Sequence, residues 1–445
     1  MKISIIGGAG YVGLITGLGL AQLGHKVTNI DIAEEKINML LKGNSPIYEE
    51  NIDSVLRNSL NSGNIHFTTD PSTSIPNSEV IIIAVGTPSN KSGDIDLSQI
   101  KSAISQIESN FEPYKVVVMK STVPLDAIEL MRDNLSKKYK EGIEFDIVSN
   151  PEFLREGKAV FDFFNPERIV IGTNSEKAFN LIREMYIRLI EKDIDLGDIP
   201  LKNDVVPVLK TSVASAQMIK YGSNAFLATR ISFINELAEL CEYVGADIKE
   251  VSKGMGLDSR IGESYLQPGP GFGGPCLEKD LNALHILSKS RGLSLKVFEQ
   301  VLERNNVQIR EILRKIENRL KNIDNSTITI WGLSFKAGTD DIRNSSSIRL
   351  IEELSKRNAE IKIFDPVAKI DSSIFRNLEV YQDPYLSVHN SDMLIIMTEW
   401  NQFLEFDYSK VFKVMNNKNV VDARNILDNS LLKTLGFNYT GIGVT

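Results

Sequence analysis

The sequence has few of the residues that build disulfide frameworks or metal sites. Only two cysteines, Cys241 and Cys276, occur in 445 residues. Two cysteines cannot form a disulfide framework, and they fit a reducing compartment, so we expect a cytoplasmic protein. The 4 histidines are scattered along the chain without the spacing of metal ligands, and we therefore expect no metal site.

Long apolar runs and an excess of positive charge are also missing. No apolar run approaches the ~18 residues that span a bilayer. A glycine-rich, nearly uncharged stretch after Lys2 resembles a secretory signal, but it leads into a strand pattern, and we expect it to be part of the fold. The net charge is −8, which argues against nucleic acid as a partner, and without a long apolar run we expect no membrane partner. A local basic pocket for one phosphorylated small molecule is still compatible with this balance.

The residues that are present describe an ordinary folded protein. Hydrophobic residues make up 42% of the chain and charged residues 24%. The length corresponds to about three domains at roughly 150 residues each. Such a chain can bury a large core without cross-links.

Strand and helix patterns alternate at both ends of the chain. Alternation of this kind predicts parallel sheets with helices on both faces, whereas the stretch from about Val205 to Asn325 is dominated by helical patterns. We predict an α/β protein in which two Rossmann-like domains are joined by a central all-helical domain with a long connecting helix. The predicted strand segments are 2–6, 27–31, 80–86, 116–121, 145–150, 168–172, 327–333, 361–366, 393–400 and 419–424. The predicted domains are 1–204, 205–324 and 325–445.

The segment GAGYVG lies between the first strand pattern and a helix pattern. Gly8 permits a tight turn, Gly10 lets the backbone approach a pyrophosphate, and Gly13 allows close packing of helix on strand. Asp31 ends the next strand, where it can accept hydrogen bonds from ribose hydroxyls. A carboxylate there repels a 2′-phosphate, so we expect NAD rather than NADP. The alternative is a glycine-rich turn without a ligand.

The two cysteines lie in different surroundings. Cys276 follows the glycine-rich segment PGPGFGGP and starts a helix pattern, with Lys279 and Asp280 in the next turn. A thiol at a helix N-terminus beside a lysine is expected to favour the thiolate. Cys241 lies on an apolar helical stripe, and we expect it to be a core residue.

Lys220 and Asn224 are spaced by one helical turn, so they share one face of the long helix. Together they can donate hydrogen bonds to a developing oxyanion. The alternative is a lysine that extends along a solvated face.

Two loops follow strands of the α/β segments, where ligands bind in open sheets. The segment SNPEFLREG offers Glu152 as a general base, and Thr122 in STVP follows a neighbouring strand. The segment FKAGTDDIRNS offers Lys336 and Arg343 as phosphate ligands, with Asp340 and Asp341 to hold them. A surface charge run explains the second loop equally well on its own.

Taken together, these segments resemble the UDP-glucose/GDP-mannose dehydrogenases, and among them the UDP-glucose 6-dehydrogenases. The matching segments run in family order from residue 3 to residue 345, and the last hundred residues match mainly in pattern. They are GAGYVG, VGTP, STVP, NPEFLREG, IKYGSNAFLATRISFINELAELCE, GLDSRIG, FGGPCLEKD and FKAGTDDIR.

The resemblance implies oxidation of the sugar C6 alcohol to a carboxylate by two NAD⁺ and one water. Cys276 would hold the aldehyde as a thiohemiacetal and then as a thioester, and Glu152 would serve thioester hydrolysis. Lys220 and Asn224 would stabilise oxyanions, with Asp280 positioning a water or the lysine. The implied catalytic residues are Cys276, Lys220, Asn224, Asp280, Glu152 and Thr122.

The resemblance also implies ligand contacts and a partner. The implied NAD contacts are Gly8, Gly10, Tyr11, Val12, Gly13, Asp31, Lys36, Thr87, Thr122, Glu156, Lys279 and Arg343. The implied UDP-sugar contacts are Glu152, Phe153, Leu154, Arg155, Glu156, Lys220, Asn224, Arg260, Tyr265, Leu266, Gln267, Pro268, Gly269, Gly273 and Lys336. The expected partner is a second copy of the chain, held through the central helices, whose ligand Arg260 would reach.

Three positions depart from the family pattern: Pro275, Glu278 and Asn344 replace a frequent Ser, Pro and Glu. They weaken the inference about which sugar is bound. The same reaction on GDP-mannose or a UDP-N-acetyl-hexosamine is therefore an alternative. A non-catalytic sugar-nucleotide sensor would need no nucleophile, and a zinc-type alcohol dehydrogenase would need ligands that this chain lacks.

Overall fold

A computed structural model describes residues 1–90, 95–197, 199–202 and 204–444. The chain divides into two compact units, residues 1–223 and 224–445. The division falls within one long helix. Within the described residues, no helix is both long enough and apolar enough to cross a membrane.

The first unit contains one sheet with the strand order β3-β2-β1-β4-β5-β6-β7-β8. Its strands are β1 (Lys2–Ile6), β2 (Lys26–Ile30), β3 (Ile65–Thr68), β4 (Val80–Ile83), β5 (Lys115–Met119), β6 (Phe145–Ser149), β7 (Ile169–Gly172) and β8 (Val208–Thr211). Strands β1 to β6 are parallel, with Ile3 opposite both Val27 and Val80. This is the strand order of a dinucleotide-binding fold.

Alternating side chains of the central strands pack into two different cores. Ile3 and Ile5 lie in one apolar cluster and Ile6 in the other, while Ile82 and Ile83 are divided in the same way. Because both faces are covered, these strands read as continuous apolar runs. The covering helices are α1 (Tyr11–Gln22), α2 (Glu34–Leu41), α3 (Ile52–Asn61), α4 (Ser98–Ser109), α5 (Leu125–Ser136), α6 (Ala159–Phe164), α7 (Glu176–Met185) and α8 (Ile187–Ile190). Short 3-10 turns lie at Pro71–Thr73 and Ile75–Asn77.

Two details of this unit correct the predictions. The sheet is not wholly parallel, because β7 meets β6 in the antiparallel sense at Ser149 and Gly172. The connection between them is held at the carboxyl edge of the sheet, where Gly157 N–H donates to the Glu49 carboxylate at 2.7 Å. The chain therefore re-enters the sheet from that edge instead of crossing to the opposite one.

The long helix begins later than predicted. The segment from about Val205 was predicted as helix, but Val208–Thr211 forms β8 beside β7, and α9 spans Val213–Val244. Pro207 supplies no N–H, and the valines around it favour extended backbone, so the helix starts only after them.

The second unit contains further helices and a sheet of six strands. After α9, its helices are α10 (Ile248–Gly256), α11 (Leu277–Ser290), α12 (Lys296–Leu320), α13 (Ser346–Lys356), α14 (Pro384–Ser387), α15 (Gln402–Glu405), α16 (Tyr408–Val414) and α17 (Asn429–Leu435). Its strands are β9 (Thr327–Trp331), β10 (Glu360–Phe364), β11 (Leu378–Tyr381), β12 (Met393–Ile396), β13 (Asn419–Asp422) and β14 (Asn438–Gly441). A 3-10 turn lies at Ser372–Ile374.

The order of this second sheet is β11-β10-β9-β12-β13-β14, and all described pairs are parallel. Ile328 and Ile330 face the core that includes α12, while Trp331 faces a second, aromatic-rich core. The predicted fold of two α/β sheets flanking a helical segment is confirmed.

Candidate functional site

The glycine-rich turn connects β1 to α1 in four residues, and several of the glycines in and after it have no room for a side chain. Gly7 has a φ of +83°, which a residue with a side chain adopts rarely. A Cβ on Gly8 would lie 2.5 Å from Asn29 Cβ, and a Cβ on Gly13 would lie 2.1 Å from Gly7 O. The spacing of the glycines therefore follows from close approach of backbone to backbone.

The turn presents backbone donors and one carboxylate to a ligand. Helix α1 starts at Tyr11 and has no side-chain cap, so its first N–H groups suit an anion. Asp31 follows β2 and accepts hydrogen bonds from Ala9 N–H at 2.9 Å and Ala33 N–H at 3.1 Å. The turn, the helix N-terminus and Asp31 fit the pyrophosphate and ribose of NAD. Val12 belongs to the same first turn, and Lys36 is exposed on α2.

Thr87 and Thr122 meet at the carboxyl ends of β4 and β5. The Thr87 hydroxyl donates to the Thr122 carbonyl at 3.1 Å. The Ser121 hydroxyl donates to the Val85 carbonyl at 2.7 Å, which joins the same two loops. The structure therefore brings together two residues that the resemblance assigns to NAD contacts.

Glu152 and Lys220 form an ion pair that is almost completely buried. Lys220 Nζ lies 2.9 Å from Glu152 Oε1, and the two side chains are only 5% and 10% exposed. The alternative of a lysine on a solvated face is wrong. Burial alone would raise the pKa of Glu152, but the charge and hydrogen bond of Lys220 outweigh it, and the pKa lies below its usual value. Glu152 is therefore ionised at neutral pH.

A second buried cation, Lys120, was missed by the sequence analysis. Its ammonium lies 3.1 Å from Asn150 Oδ1, 3.3 Å from Asn150 O and 3.4 Å from Tyr186 Oη. Burial lowers the pKa of Lys120 to about 8, although the charge of Glu152 opposes the shift. The signal was a lysine directly after the buried strand β5, two residues before Thr122.

In the second unit, Cys276 and Asp280 stand at the start of α11. Cys276 is exposed and occupies the N-cap position. Asp280 is buried, and its two oxygens accept from Asn224 Nδ2 at 2.6 Å and Lys279 Nζ at 2.7 Å. The structure thus joins Asn224 to Asp280 and places Asp280 one helical turn from the cysteine. The thiolate character of Cys276 stays a prediction.

Cys241 behaves as predicted. It is 4% exposed and packs in the apolar cluster with Ile234 and Ala238. Burial raises the pKa of its thiol, so it is held as a neutral core residue.

The glycine-rich loop before Cys276 is held by buried amide side chains that the sequence analysis did not identify. Asn235 Oδ1 accepts from Gly269 N–H at 2.8 Å, and Gln308 Nε2 donates to Gly269 O at 2.7 Å. Asn305 Oδ1 accepts from Phe272 N–H at 2.7 Å. Helical amides at unremarkable spacing give no local signal of this role.

The loop after β9 meets the segment that carries Cys276. Gly274 N–H donates to Arg343 O at 3.0 Å, and Asp341 accepts from Arg343 Nε at 2.8 Å, so the predicted pairing of these two charges is present. Lys336 Nζ lies 5.8 Å from the centre of the Phe335 ring. Arg424 was missed: its guanidinium donates to Phe335 O at 2.9 Å and Met397 O at 3.0 Å.

The other predicted ligand contacts occupy varied environments. Arg155 pairs with Asp162 at 2.9 Å, and the exposed Arg260 pairs with Asp258 at 3.0 Å. Tyr265 has a φ of +62°. Of the remaining predicted contacts, Leu266, Pro268 and Gly269 are buried, Gln267 is exposed, and Phe153, Leu154, Glu156 and Gly273 are half-buried.

Comparison with known families finds matches in three consecutive parts of the chain. The NAD binding domain of the UDP-glucose/GDP-mannose dehydrogenase family matches residues 1–190. The central domain of that family matches residues 214–307, and its UDP binding domain matches residues 329–429.

Curated relatives match over the whole chain. A UDP-glucose 6-dehydrogenase of Bacillus subtilis is 39% identical over 444 residues, covering 99% of this chain and 93% of the relative. One of Rickettsia bellii is 40% identical over 447 residues, covering 100% and 99%.

Solved structures match the fold. A UDP-glucose dehydrogenase of Pyrobaculum islandicum has a TM-score of 0.88 and 32% identity, covering 100% of this chain and 98% of its own. A UDP-D-ManNAc dehydrogenase of Pyrococcus horikoshii has a TM-score of 0.87 and 26% identity, covering 100% and 99%.

Proposed function

Because the chain belongs to the UDP-glucose/GDP-mannose dehydrogenase family, we propose that it oxidises UDP-glucose to UDP-glucuronate with two NAD⁺. The observation that supports UDP-glucose as the substrate is the full-length identity of 39–40% to UDP-glucose 6-dehydrogenases. The exposed cysteine at the N-terminus of α11 supports a four-electron oxidation, since an enzyme that stops at the aldehyde needs no nucleophile. We place the reaction in the cytoplasm.

The first oxidation removes a hydride and a proton from the C6 alcohol and leaves an aldehyde. Bound NAD⁺ supplies the hydride acceptor in each oxidation. The Cys276 thiol adds across the aldehyde C=O bond to give a thiohemiacetal, which then loses a second hydride and its hydroxyl proton to give a thioester. Water then attacks the thioester, which releases the carboxylate and the thiol.

Individual residues are assigned to these steps by their chemistry. Glu152, ionised beside Lys220, takes the proton of the hydrolytic water, and Thr122 helps to place that water. Lys220 and Asn224 donate hydrogen bonds to the oxyanions that form at C6. Asp280 holds the Asn224 amide in position through its 2.6 Å hydrogen bond.

The NAD and UDP-sugar contacts are proposed on the residues that the resemblance identifies. The NAD contacts are Gly8, Gly10, Tyr11, Val12, Gly13, Asp31, Lys36, Thr87, Thr122, Glu156, Lys279 and Arg343. The UDP-sugar contacts are Glu152 to Glu156, Lys220, Asn224, Arg260, Tyr265 to Gly269, Gly273 and Lys336.

We also propose a homodimer built on α9. Three large apolar residues, Phe226, Phe233 and Leu240, recur every seven residues on this helix and are 61%, 51% and 56% exposed. A stripe of this kind at helical spacing suits a second helix. Arg260, 87% exposed at its side chain, would then reach the ligand of the partner subunit. Sedimentation of wild type against Phe233→Glu tests this, and an unchanged sedimentation coefficient would contradict it.

The alternative substrate is another nucleotide sugar, and one observation supports this alternative. The UDP-D-ManNAc dehydrogenase of Pyrococcus horikoshii matches the fold with a TM-score of 0.87, almost the same as the UDP-glucose dehydrogenase at 0.88. The backbone fold therefore does not distinguish between the two sugars. NADH production with UDP-glucose, GDP-mannose and UDP-N-acetyl-hexosamines discriminates between them, and UDP-glucose should give the highest kcat/KM.

The reaction is tested by stoichiometry and by two variants. Each UDP-glucose consumed should yield two NADH and no free aldehyde, and a ratio of one would contradict the thioester route. Cys276→Ser should lose nearly all turnover while both ligands still bind, because a serine hydroxyl is a poor nucleophile at neutral pH. Cys241→Ser, the buried counterpart, should keep turnover.

Glu152→Gln should separate oxidation from hydrolysis. The variant keeps the shape of the side chain and lacks the base, so a burst of about two NADH per active site should precede slow turnover. Intact-mass spectrometry should show a UDP-glucuronoyl adduct on Cys276. Slow first oxidation without an adduct would instead assign Glu152 to binding, and Asp280 would become the next candidate for the base.

A further inference from the structure

Three segments of the first unit meet at the buried carboxylate of Glu49, which is 7% exposed. Glu49 lies between α2 and α3. Its Oε2 accepts from Gly157 N–H and its Oε1 from Ala159 N–H, both at 2.7 Å. The Tyr11 hydroxyl donates to the same carboxylate and accepts from Gly157 N–H at 3.0 Å. The glycine-rich turn, the loop before α3 and the end of the segment NPEFLREG therefore share one set of hydrogen bonds.

This arrangement differs from the helix starts that carry a cap of their own. Helices α7, α10 and α13 are capped by their own Ser175, Asp247 and Ser345. Helix α6 has no side-chain cap of its own, and its first N–H is satisfied by a residue 110 positions earlier in the chain. A local serine would satisfy the helix start without burying a charge, so the capping requirement alone does not explain Glu49.

The buried charge also carries a cost. Burial raises the pKa of Glu49, although the hydrogen bonds from Tyr11, Gly157 and Ala159 oppose the shift. Burial and the hydrogen bond to Glu49 raise the pKa of Tyr11, so its hydroxyl stays a donor. Residues that oppose stability while holding a loop in place are typical of functional sites.

We propose that Glu49 and Tyr11 are positioning residues that couple the cofactor turn to the substrate loop, so that each nucleotide tightens the binding of the other. The inference rests on the proposed function, which assigns the turn to NAD and residues 152–156 to the UDP-sugar. Tyr11 is the first residue of α1, at the expected pyrophosphate position, and Gly157 directly follows Glu156. A shift of the helix start is transmitted through the carboxylate to the loop, and the coupling is reciprocal.

The first test uses the ligand-free protein. Glu49→Gln keeps the side-chain length but replaces one of the two acceptor oxygens by an NH2 group, so one of the two backbone N–H groups loses its Glu49 acceptor. In hydrogen–deuterium exchange, peptides that contain Gly157 and Ala159 should exchange up to about tenfold faster than in wild type, because one of the two protecting bonds is lost. Glu50→Gln, an exposed neighbour of the same chemistry, should leave exchange unchanged. Equal exchange in Glu49→Gln and wild type would overturn the proposal that Glu49 holds the segment of Gly157 and Ala159.

The second test measures coupling directly, with NADH and UDP-glucose, which do not react with each other. In wild type, calorimetry should give a UDP-glucose Kd about fivefold or more lower when NADH is present. This ratio should fall to near one in Glu49→Gln and in Tyr11→Phe, and the double variant should add nothing further. Glu50→Gln and Tyr48→Phe are the matched controls and should keep the ratio.

The outcomes separate the two proposals. Binding of both nucleotides with a ratio that Glu49→Gln does not change would overturn the coupling and leave the proposed function in place. Failure of wild type to bind either nucleotide would overturn the proposed function and the coupling with it. If Glu49→Gln does not fold, Tyr11→Phe decides, because it removes one hydroxyl and leaves the Glu49 bonds to Gly157 and Ala159 intact.

Discussion

The two α/β folds of the chain start in the same way and then diverge. Gly7 after β1 and Gly332 after β9 both have positive φ, +83° and +98°. Each N–H donates to the last residue of the neighbouring strand, Ile30 at 2.9 Å and Phe364 at 2.8 Å. In both folds an aspartate, Asp31 or Asp365, follows that strand.

The two aspartates differ in how many hydrogen bonds their carboxylates accept from backbone N–H groups. Among the described residues, Asp365 accepts from four backbone N–H groups, whereas Asp31 accepts from two. A carboxylate offers about four acceptor positions. Asp31 therefore has acceptor positions left for ribose hydroxyls, whereas those of Asp365 are filled by backbone N–H groups. An aspartate at the same position of the same fold therefore keeps acceptor capacity for a ligand in one unit and is satisfied by backbone N–H groups in the other.

The connections to the following helices differ as well. Residues 7–10 join β1 to α1, whereas residues 332–345 join β9 to α13. The short connection brings a helix N-terminus and backbone N–H groups to the ligand, which suits a pyrophosphate. The long one carries Lys336 and Arg343, the side chains that we propose as ligand contacts, so phosphate recognition there would depend on side-chain charge.

The largest effect is expected where the short connection is tightest. Gly13→Ala would place a Cβ 2.1 Å from Gly7 O, and neither backbone segment can move without disturbing the turn. We expect NAD affinity to fall by at least about 100-fold and the free energy of unfolding by about 3 kcal/mol. Gly254→Ala, on an exposed face of α10 with nothing within 4 Å, should instead stabilise the protein slightly. Wild-type NAD binding in Gly13→Ala would contradict the assignment of the turn.

The paired aspartates give the next effect. Asp31→Asn removes the charge that repels a 2′-phosphate, so the preference for NAD over NADP, as a ratio of kcat/KM values, should fall at least about tenfold. Asp365→Asn should leave that ratio unchanged and lower the free energy of unfolding by about 1–3 kcal/mol, since an amide cannot accept at both ends. A shift of cofactor preference in Asp365→Asn would break the comparison.

The long connection should respond to the loss of charge. Lys336→Met keeps the apolar stem and removes the ammonium, so UDP affinity should fall about tenfold and depend less steeply on salt. NAD affinity should stay unchanged. The exposed Lys369 in the same fold provides the control Lys369→Met. Equal UDP affinity in Lys336→Met and the control would place the phosphate elsewhere.

The burial of the strands explains which of them the sequence predicts. Central strands such as β4 are buried on both faces and read as apolar runs, so they were predicted. The edge strands β3, β11 and β14 were missed, because residues such as Glu379 and Asn438 face solvent and interrupt the pattern.

In the candidate site, the features that the sequence predicts are local in the chain. They are the glycine spacing and the i, i+4 pair of Cys276 and Asp280. Glu49 with Gly157, and Lys120 with Tyr186, are joined only by the fold, over 108 and 66 positions, and no spacing rule identifies them.

The smallest expected effect concerns the buried charges of the two units. Burial raises the pKa of Asp422 in the second unit, whereas in the first it lowers the pKa of Lys120 to about 8. Folded Lys120 therefore loses its proton near pH 8, while an unfolded lysine keeps it to about pH 10.4. Between these values the unfolded state binds more protons, so the free energy of unfolding rises with pH. From pH 7.5 to 9 we expect Lys120 to contribute a rise of about 1 kcal/mol. In urea unfolding of Lys120→Met across this range, the free energy of unfolding should not show this rise. Lys137 is an exposed lysine of the same unit, and the control Lys137→Met should keep the rise. The same pH slope in Lys120→Met and wild type would mean that Lys120 stays charged in the folded protein.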